Sequence, residues 1–216
     1  MIISGISLSL IPAMAQFNTV SSASDYYREE SVQAATKDKE TASDNTGSGK
    51  GVSENTGKSG ARGDVQRQMV VERYLSVSYP LPRIKVTSPY GYRKDPFTGK
   101  RKFHGGIDLQ ARGDKVLAMM AGTGVKVGQD KTSGKYVTLQ HGNCMISYCH
   151  LSKILVARGT AVRPRDAVGI TGSTGRSTGE HLHITCRLNG KSVDPAILFE
   201  HVRRVQQECV SALAEL

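Results

Sequence analysis

Residues 180–190 read EHLHITCRLNG, and the fold prediction starts from this stretch. Its two histidines alternate with Leu182 and Ile184, which is the period of a strand with one apolar and one polar face. The Asn-Gly pair at its end accepts positive φ angles and is typical of a tight turn between strands. If this segment is a strand, His181 and His183 project to one side and the two aliphatic residues to the other.

The residues on both sides of this stretch show the same pattern of short segments. From Pro80 onward, apolar runs rich in Val, Ile and Tyr are separated by Gly, Pro, Asp or Asn, as in KYVTLQHG, CMISYCHL and DAVGITG. Short runs bounded by turn residues are typical of β domains. We therefore expect a mainly β domain made of many short strands with tight turns.

Two helices are predicted at the ends of this domain. Asp194-Pro195 indicates a helix start, with Asp194 as the N-cap and Pro195 at the first helical position. From Leu198 to Leu216, apolar residues recur at spacings of three and four, which predicts one packed face. A shorter helical pattern begins at Asp64. The residues expected on its apolar face are Val65, Met69, Val70 and Tyr74.

The first 15 residues, MIISGISLSLIPAMA, are apolar and end in a small-residue pattern like a signal-peptidase site. The run is too short for a membrane-spanning helix, which needs about 20 residues. No Lys or Arg precedes it, so the charged region of an ordinary signal peptide is missing. We interpret residues 1–15 as a truncated signal peptide, with an unstructured or core-docked N-terminus as the alternative. We expect an exported protein of the periplasm or cell envelope, without stable membrane insertion of its mature form.

Residues 16–62 are poor in hydrophobic residues and predict a disordered, flexible linker. They hold six of the 29 basic and seven of the 19 acidic residues, which leaves 23 basic against 12 acidic residues in 63–216. Such a surplus favours a polyanion: nucleic acid, anionic lipid or an acidic cell-wall polymer. No nucleic-acid-binding motif appears, and a chain without Trp and with few Phe offers little surface for stacking bases. We therefore expect no nucleic-acid partner.

Four cysteines occur, at positions 144, 149, 186 and 209, and none forms a CxxC pair. Neither a zinc knuckle nor a thioredoxin motif is therefore indicated. Strand alternation, counted from His150 and His183, places Cys149 and Cys186 away from the histidines. A disulfide between these two cysteines is one hypothesis if their strands are neighbours, and buried free thiols are the other.

Three further residues with metal-binding or catalytic chemistry end short predicted strands or turns. His104 lies four residues before Asp108 in FHGGIDL, and His150 lies in SYCHLS. Residues i and i+4 of an extended chain share a face, and the two glycines between them allow a bend. A catalytic zinc site uses three ligands from His, Asp or Glu and keeps a fourth position for water. Auxiliary imidazoles can transfer protons, but the residues alone leave open which histidine does which.

The motifs HGGID, YCHLS and GEHLHI, in this order, resemble those of the M23 zinc metallopeptidases, the LytM-type, lysostaphin-like family. The resemblance extends through SPYGYRKDPFTGKRKFHGGIDL and GITGSTGRSTGEHLH to RLNGKSVDP and covers about residues 84–198. The residues that it implies as zinc ligands are His104, Asp108 and His183. The residues that it implies as catalytic histidines outside the metal shell are His150 and His181.

This resemblance implies an antiparallel β-sheet domain with a metal-bearing groove, and hydrolysis of peptide bonds in peptidoglycan stem peptides or cross-bridges. Zn²⁺ is the implied cofactor and peptidoglycan the implied partner. Some domains of this family have lost their ligands, so a non-catalytic wall-binding or amidase-activating module is the alternative. The complete set of five residues favours an enzyme. We divide the chain into a signal peptide (1–15), a linker (16–62), a peptidase domain (63–198) and a C-terminal helix (199–216).

Overall fold

The computed structural model describes residues 57–216, with side chains from Arg62 onward, so the predicted signal peptide and most of the predicted linker lie outside the described residues. This part of the chain has thirteen strands between two helices. The helices are α1 (Gly57–Leu75) and α2 (Ala196–Ala214). The strands are β1 (Val86–Ser88), β2 (Gly91–Lys94), β3 (Arg101–His104), β4 (Ile107–Gln110), β5 (Lys115–Leu117), β6 (Gly122–Asp130), β7 (Gly134–His141), β8 (Cys144–Leu151), β9 (Lys153–Ile154), β10 (Ala161–Val162), β11 (Ala167–Ile170), β12 (His181–Leu188) and β13 (Lys191–Val193).

The largest sheet has the strand order β1-β4-β12-β8-β7-β6-β10, and β13 pairs with β12. All of its strand pairings are antiparallel. The turn between β12 and β13 contains Asn189 and Gly190, whose φ angles are 50° and 76°. The predictions of a mainly β domain with an antiparallel sheet and of a turn at Asn-Gly are confirmed.

The alternation of side chains along β12 separates a core face from a groove face. Leu182, Ile184 and Cys186 are fully buried, whereas His181 and His183 on the other face are half-buried. Burial of each such aliphatic side chain contributes about 1.5–3 kcal/mol. A one-residue slip of register would turn the histidines into the core, so the apolar face determines where the polar face points.

Two smaller sheets complete the β structure. One has the strand order β5-β11-β9, and the other is a separate hairpin of β2 and β3. In the hairpin, Gly91 pairs with His104 and Arg93 pairs with Lys102. The side chains of Arg93, Lys102 and His104 therefore share one face of the hairpin. Because β3 leads directly into the turn before β4, the hairpin stands as a wall beside the large sheet.

Helix α2 begins one residue later than predicted. Pro195 is its N-cap residue, with a φ angle of −64°, whereas Asp194 was expected to be the N-cap. Asp194 still satisfies the helix start, because its Oδ1 accepts a hydrogen bond from the Ala196 N–H at 2.9 Å. Leu198 and Val202 are buried, which confirms the packed face of this helix.

Helix α1 begins at Gly57 and is longer than the predicted pattern. Its expected apolar face is wrong in part, because Val65 and Met69 are 59% and 64% exposed. The spacing of apolar residues indicates a helix but does not show which side meets a neighbour. Contact with α2 includes an ion pair of 2.6 Å between Arg73 and Glu208. Of the two helices in residues 57–216, neither is long and apolar enough to cross a bilayer.

Candidate metal and catalytic site

Strand register brings predicted site residues together on one face of the large sheet. Strand β12 lies between β4 and β8, and its His183 pairs with Asp108 on one side and with Cys149 on the other. Directly opposite residues of antiparallel strands project to the same face, with Cβ atoms about 4.5–5.5 Å apart. Backbone pairing therefore joins His183 to Asp108, although 75 positions separate them in the chain.

His104, Asp108 and His183 form a compact cluster of potential metal ligands. Oδ1 of Asp108 lies 2.7 Å from Nδ1 of His183 and 3.3 Å from Nε2 of His104. These two imidazole nitrogens are 3.1 Å apart. His104 and Asp108 are buried, and His183 is half-buried. Three atoms with lone pairs thus face one small volume, which is the arrangement that a bound cation requires.

The hydrogen bonds around this cluster are compatible with a metal site. Nδ1–H of His104 donates to the carbonyl of Pro89 at 2.8 Å, which leaves the Nε2 lone pair directed at Asp108 and His183. Metal-bound imidazoles commonly donate their second N–H to a carbonyl in this way. Two imidazole nitrogens with one carboxylate are a donor set of catalytic zinc, with a fourth position left for water. The residues present therefore fit a zinc ion.

Asp108 keeps its negative charge because of its neighbours. Burial by itself would raise the pKa of this carboxyl, but the adjacent imidazoles of His104 and His183 outweigh burial and hold the pKa well below its usual range. Nη2 of Arg93 lies 3.6 Å from the second carboxylate oxygen, Oδ2. Arg93 was not among the predicted site residues. Its pairing with Lys102 places its side chain on the same face of the hairpin as His104, next to Asp108. An ionised carboxylate is the form that binds a cation.

His150 and His181 lie beside the cluster. The centroid of the His150 ring is 4.7 Å from that of His181 and 5.7 Å from that of His183. Nδ1–H of His150 donates to the Thr174 carbonyl, and Nδ1–H of His181 donates to the Gly179 carbonyl, each at 2.8 Å. Each ring then has its Nε2 available for proton transfer. Burial lowers the pKa of His150, which favours its neutral form.

His150 reaches the groove through an irregularity of β8. Between its pairings with Lys135 and Val137 of β7, β8 has one residue more than its partner, which is a β-bulge. His150 itself has a φ angle of 62°. As a result, Cys149 and His150 both line the groove, although consecutive residues of a regular strand alternate. The expectation that Cys149 faces away from the histidines was wrong because alternation fails at this bulge.

All four cysteines are free, and the hypothesis of a Cys149–Cys186 disulfide is wrong. Cys149 pairs with His183 on the groove face, whereas Cys186 is fully buried on the core face, so the sheet separates them. Sγ of Cys186 lies instead 3.5 Å from Sγ of Cys144. Burial raises the pKa of the Cys149 thiol to about 12. Its thiol therefore stays protonated near neutral pH and is a poor nucleophile.

The two predicted catalytic histidines and the three-residue cluster all line one groove of about 790 Å³. The β2–β3 hairpin supplies one part of its rim, and residues 176–180 of the loop between β11 and β12 supply another. The glycine-rich run GSTGRSTGEH, predicted to shape a turn beside the groove, lies in this loop. The rim thus consists of a short hairpin and a loop, whereas the floor is the large sheet.

Asp95 and Arg176 join these two parts of the rim, and we name this pair the Asp95–Arg176 clamp. Nη2–H of Arg176 donates to both oxygens of Asp95, at 3.1 and 3.2 Å. The guanidinium carbon lies 4.5 Å from the ring centroid of Phe97. The N–H groups of Phe97 and Thr98 donate to Oδ1 of Asp95, each at 2.9 Å. Sequence reasoning missed the clamp, because only the turn signal at Asp95-Pro96 is local and its partner lies 81 positions away.

A family model described as Peptidase family M23 matches residues 102–195. The matched range includes all five predicted site residues. It also contains strands β4 to β13, and therefore the whole floor of the groove except β1.

Curated relatives match about half of the chain. An uncharacterised metalloprotease of Haemophilus influenzae is 41% identical over 122 residues, which are 54% of this chain and 26% of the relative. The DD-carboxypeptidase/endopeptidase Mpg of Neisseria meningitidis serogroup B is 40% identical over 118 residues, which are 54% of this chain and 27% of the relative. The peptidoglycan DD-endopeptidase ShyA of Vibrio cholerae is 36% identical over 120 residues, which are 54% of this chain and 28% of the relative. The chain spans about a quarter of the length of the curated relatives it matches.

A solved structure supports the same fold. The catalytic domain of the antimicrobial peptidase lysostaphin from Staphylococcus simulans is 27% identical to this chain, with a TM-score of 0.50. The similarity covers 62% of this chain and 97% of that domain. Nearly the whole of that catalytic domain therefore has a counterpart here.

Proposed function

We propose that this chain, which belongs to peptidase family M23, is a zinc-dependent endopeptidase that hydrolyses peptide bonds in peptidoglycan stem peptides or cross-bridges. The proposal includes the division of the chain into a signal peptide, a linker, a peptidase domain at 63–198 and a C-terminal helix. It also includes action in the periplasm or cell envelope after export.

One observation carries the proposal: three ligand atoms of His104, Asp108 and His183 meet at the floor of a groove that two further histidines line. In this proposal Nε2 of His104, Oδ1 of Asp108 and Nδ1 of His183 hold the metal. When bound, zinc lowers the pKa of a coordinated water and polarises the carbonyl to be attacked. The His-Asp-His set without the neighbouring imidazoles would suit a structural ion equally well, so the two added rings favour catalysis.

His150 and His181 are assigned to proton transfer. Their Nδ1 atoms face the carbonyls of Thr174 and Gly179, which orients each ring and presents Nε2 to a substrate in the groove. A neutral imidazole would accept a proton from the attacking water, and the imidazolium that forms would donate it to the amine that leaves when the C–N bond breaks. Nε2 of His181 lies 3.6 Å from Oδ1 of Asp108, so its proton transfer would take place next to the metal position.

The substrate class is supported by the relatives and by charge. ShyA carries the name peptidoglycan DD-endopeptidase, and Mpg carries the name DD-carboxypeptidase/endopeptidase. Residues 63–216 have 23 basic and 12 acidic residues, which favours an anionic polymer such as the cell wall. The alternative, a non-catalytic wall-binding or amidase-activating module, would not require all five residues to lie in one groove.

Replacement of a proposed ligand tests the metal assignment. We expect His104→Ala to remove zinc and wall-lytic activity together, because two ligands hold zinc far more weakly than three. Metal content is measured by elemental analysis. Activity is measured on purified cross-linked muropeptides of each type, glycine-bridged and directly cross-linked through meso-diaminopimelate, with products identified by mass. Unchanged zinc in a folded His104→Ala protein would contradict the assignment, and no cleavage of any cross-link by the wild type would favour the binding module.

Replacement of a proposed proton-transfer residue separates chemistry from metal binding. His181→Ala should retain zinc and lose about 10²–10⁴-fold in kcat, because one acid–base group is missing while the metal site stays intact. The same elemental analysis and muropeptide digestion provide both readouts. Turnover at the wild-type rate in this variant would remove His181 from the mechanism.

A further inference from the structure

The outer face of the β2–β3 hairpin carries aromatic rings that are unusually exposed. Tyr92 and Phe103 pair directly across the hairpin, so their side chains lie on the same face. Tyr92 is 68% exposed and Phe103 is 44% exposed. Contiguous exposed apolar surface on a folded domain commonly marks an interaction site.

These rings form one continuous surface. The Phe103 ring meets Tyr92 at a centroid distance of 5.1 Å and Tyr90 at 5.0 Å, both edge to face. The guanidinium carbon of Arg101 lies 4.6 Å from the centroid of the Tyr92 ring. We name the four residues Tyr90, Tyr92, Arg101 and Phe103 the aromatic platform. The rings hold one another in place through these contacts but stay accessible to solvent. The surface is therefore preorganised for binding a partner.

The aromatic platform is continuous with the groove. Phe103 borders the groove and is followed directly by His104 of the metal cluster. Arg93, Lys102 and His104 point to the inner side of the same hairpin, and Tyr92 and Phe103 point to its outer side. A hairpin wall is about 10 Å thick with its side chains. An extended peptide of three or four residues, at about 3.3–3.6 Å each, is long enough to cross it.

We propose that the aromatic platform binds the sugar rings of the glycan strand to which the stem peptide in the groove is attached. This inference rests on the proposed function and deepens it. The faces of pyranose rings carry C–H groups that pack on the negative faces of aromatic rings. A stem peptide is covalently joined to the glycan, so a substrate held in the groove brings its sugar to within a few residues of the wall. The platform is an exposed aromatic surface within that reach, and Phe97, a further exposed ring at the groove, is already stacked on Arg176.

Charge on the hairpin agrees with this partner. Residues 91–104 hold five basic side chains and a single acidic one, Asp95, which Arg176 and Lys102 already neutralise. Peptide stems along the glycan carry carboxylates, and the cationic rim attracts them. Single-stranded nucleic acid would also stack on rings beside cations. Continuity with a peptidase groove favours the glycan, because the groove has to hold the attached peptide.

The test compares one cross-linked peptide with and without its sugars. We would measure kcat/KM on a disaccharide-bearing muropeptide dimer and on the same dimer after amidase has removed the disaccharides. Wild type should prefer the sugar-bearing dimer about three- to tenfold, and Tyr92→Ala should lose this preference while its rate on the sugar-free dimer stays unchanged. Tyr92→Trp should restore the preference. Val210→Ala, which truncates another side chain that is 58% exposed, is the control and should behave as the wild type.

Binding is measured separately from turnover. The chain has no Trp, so Tyr92→Trp introduces a single fluorescent reporter. Peptide-free glycan strands should change its emission, and an oligothymidylate of similar length should not. Cleavage of both dimers at equal rates by the wild type would overturn the platform and leave the proposed function in place. An equal loss of kcat/KM on both dimers in Tyr92→Ala would also overturn glycan binding by the platform, and so would tighter binding of the oligonucleotide than of the glycan strands. A wild type that cleaves neither dimer but binds the glycan strands would contradict only the proposed function.

Discussion

The floor and the rim of the groove are held in place by different interactions. On the floor, Asp108, His181 and His183 take their positions from the pairing of β4 with β12, which is made by backbone hydrogen bonds. On the rim, the hairpin and the 171–180 loop are joined through Arg176, which pairs with Asp95 and stacks on Phe97. Backbone ladders depend little on which side chains they carry, whereas the contact across the rim depends on a few particular side chains.

This difference predicts which substitutions affect the metal site and which affect the binding of substrate. A change that disturbs the floor displaces ligand atoms and should remove the chemistry. A change that loosens the rim leaves the ligand atoms in place and should alter how the substrate is held. The predictions below test this separation, in order of the expected effect.

The largest effect is expected from a methyl group between β4 and β12. A Cβ at Gly106 would lie 2.6 Å from Cε1 of His183 and would also collide with the carbonyl oxygen of Ile184. We expect Gly106→Ala to displace the His183 ring, lower zinc affinity by about 10–100-fold and destabilise the fold by about 1–3 kcal/mol. Zinc titration and thermal unfolding provide the two readouts.

The neighbouring glycine provides a matched control for that variant. A Cβ at Gly105 would meet no atom within 4 Å, so Gly105→Ala should keep zinc affinity near the wild-type value. If Gly106→Ala bound zinc as tightly as Gly105→Ala, the His183 ring would have moved to accommodate the methyl group without loss of the metal site, and the floor would not be as rigid as we propose.

A smaller effect is expected when the clamp is opened. Arg176→Ala removes both hydrogen bonds to Asp95 and the stacking on Phe97. Zinc content should stay at the wild-type level, while kcat/KM on muropeptides should fall about tenfold, mainly through KM, because the substrate is held less firmly. Arg158→Ala, at an exposed position of another loop, is the control. Loss of zinc in Arg176→Ala would show that rim and floor are coupled.

The smallest effect concerns pH. Burial by itself would raise the pKa of Asp95, but N–H groups of Thr98 and Phe97 and the charge of Arg176 lower it below the ordinary value of 3.8. A carboxyl whose pKa is lower in the folded state stabilises the fold above the unfolded value, and this contribution is lost as pH falls through the folded pKa. The Tm difference between wild type and Asp95→Asn should therefore be constant near pH 6 and shrink below about pH 4. A difference that stayed constant down to pH 2.5 would mean that the Asp95 charge does not stabilise the clamp.

Regular segments were predictable because their signals are local. Alternation in HLHITCRL indicated a strand and the face on which both histidines lie, and Asn189-Gly190 indicated its turn. The β-bulge of β8 was not predictable, because the extra residue is defined only against β7. That bulge reversed the expected orientation of Cys149 and separated it from Cys186.

The residues of the candidate site also fall into a predictable group and an unpredictable group. The residues in HGGID, SYCHLS and GEHLHI could be selected from their chemistry and order. Arg93 and the Asp95–Arg176 clamp could not be selected, because an Arg in a basic hairpin and an Arg in a glycine-rich loop look like surface residues until their partners are known. Pairing between positions that are far apart leaves no periodic signal in a single sequence.

Local sequence patterns were sufficient to predict the two faces of β12, its turn at Asn-Gly, and the set of imidazoles and carboxylate available for a metal, because these follow from the nearest few residues. Long-range packing sets which strands are neighbours, the 2.7 Å distance between Oδ1 of Asp108 and Nδ1 of His183, and the pairing of Arg176 with Asp95. Distances of this kind depend on the register of a whole sheet, which forms only when many segments bury their apolar faces together.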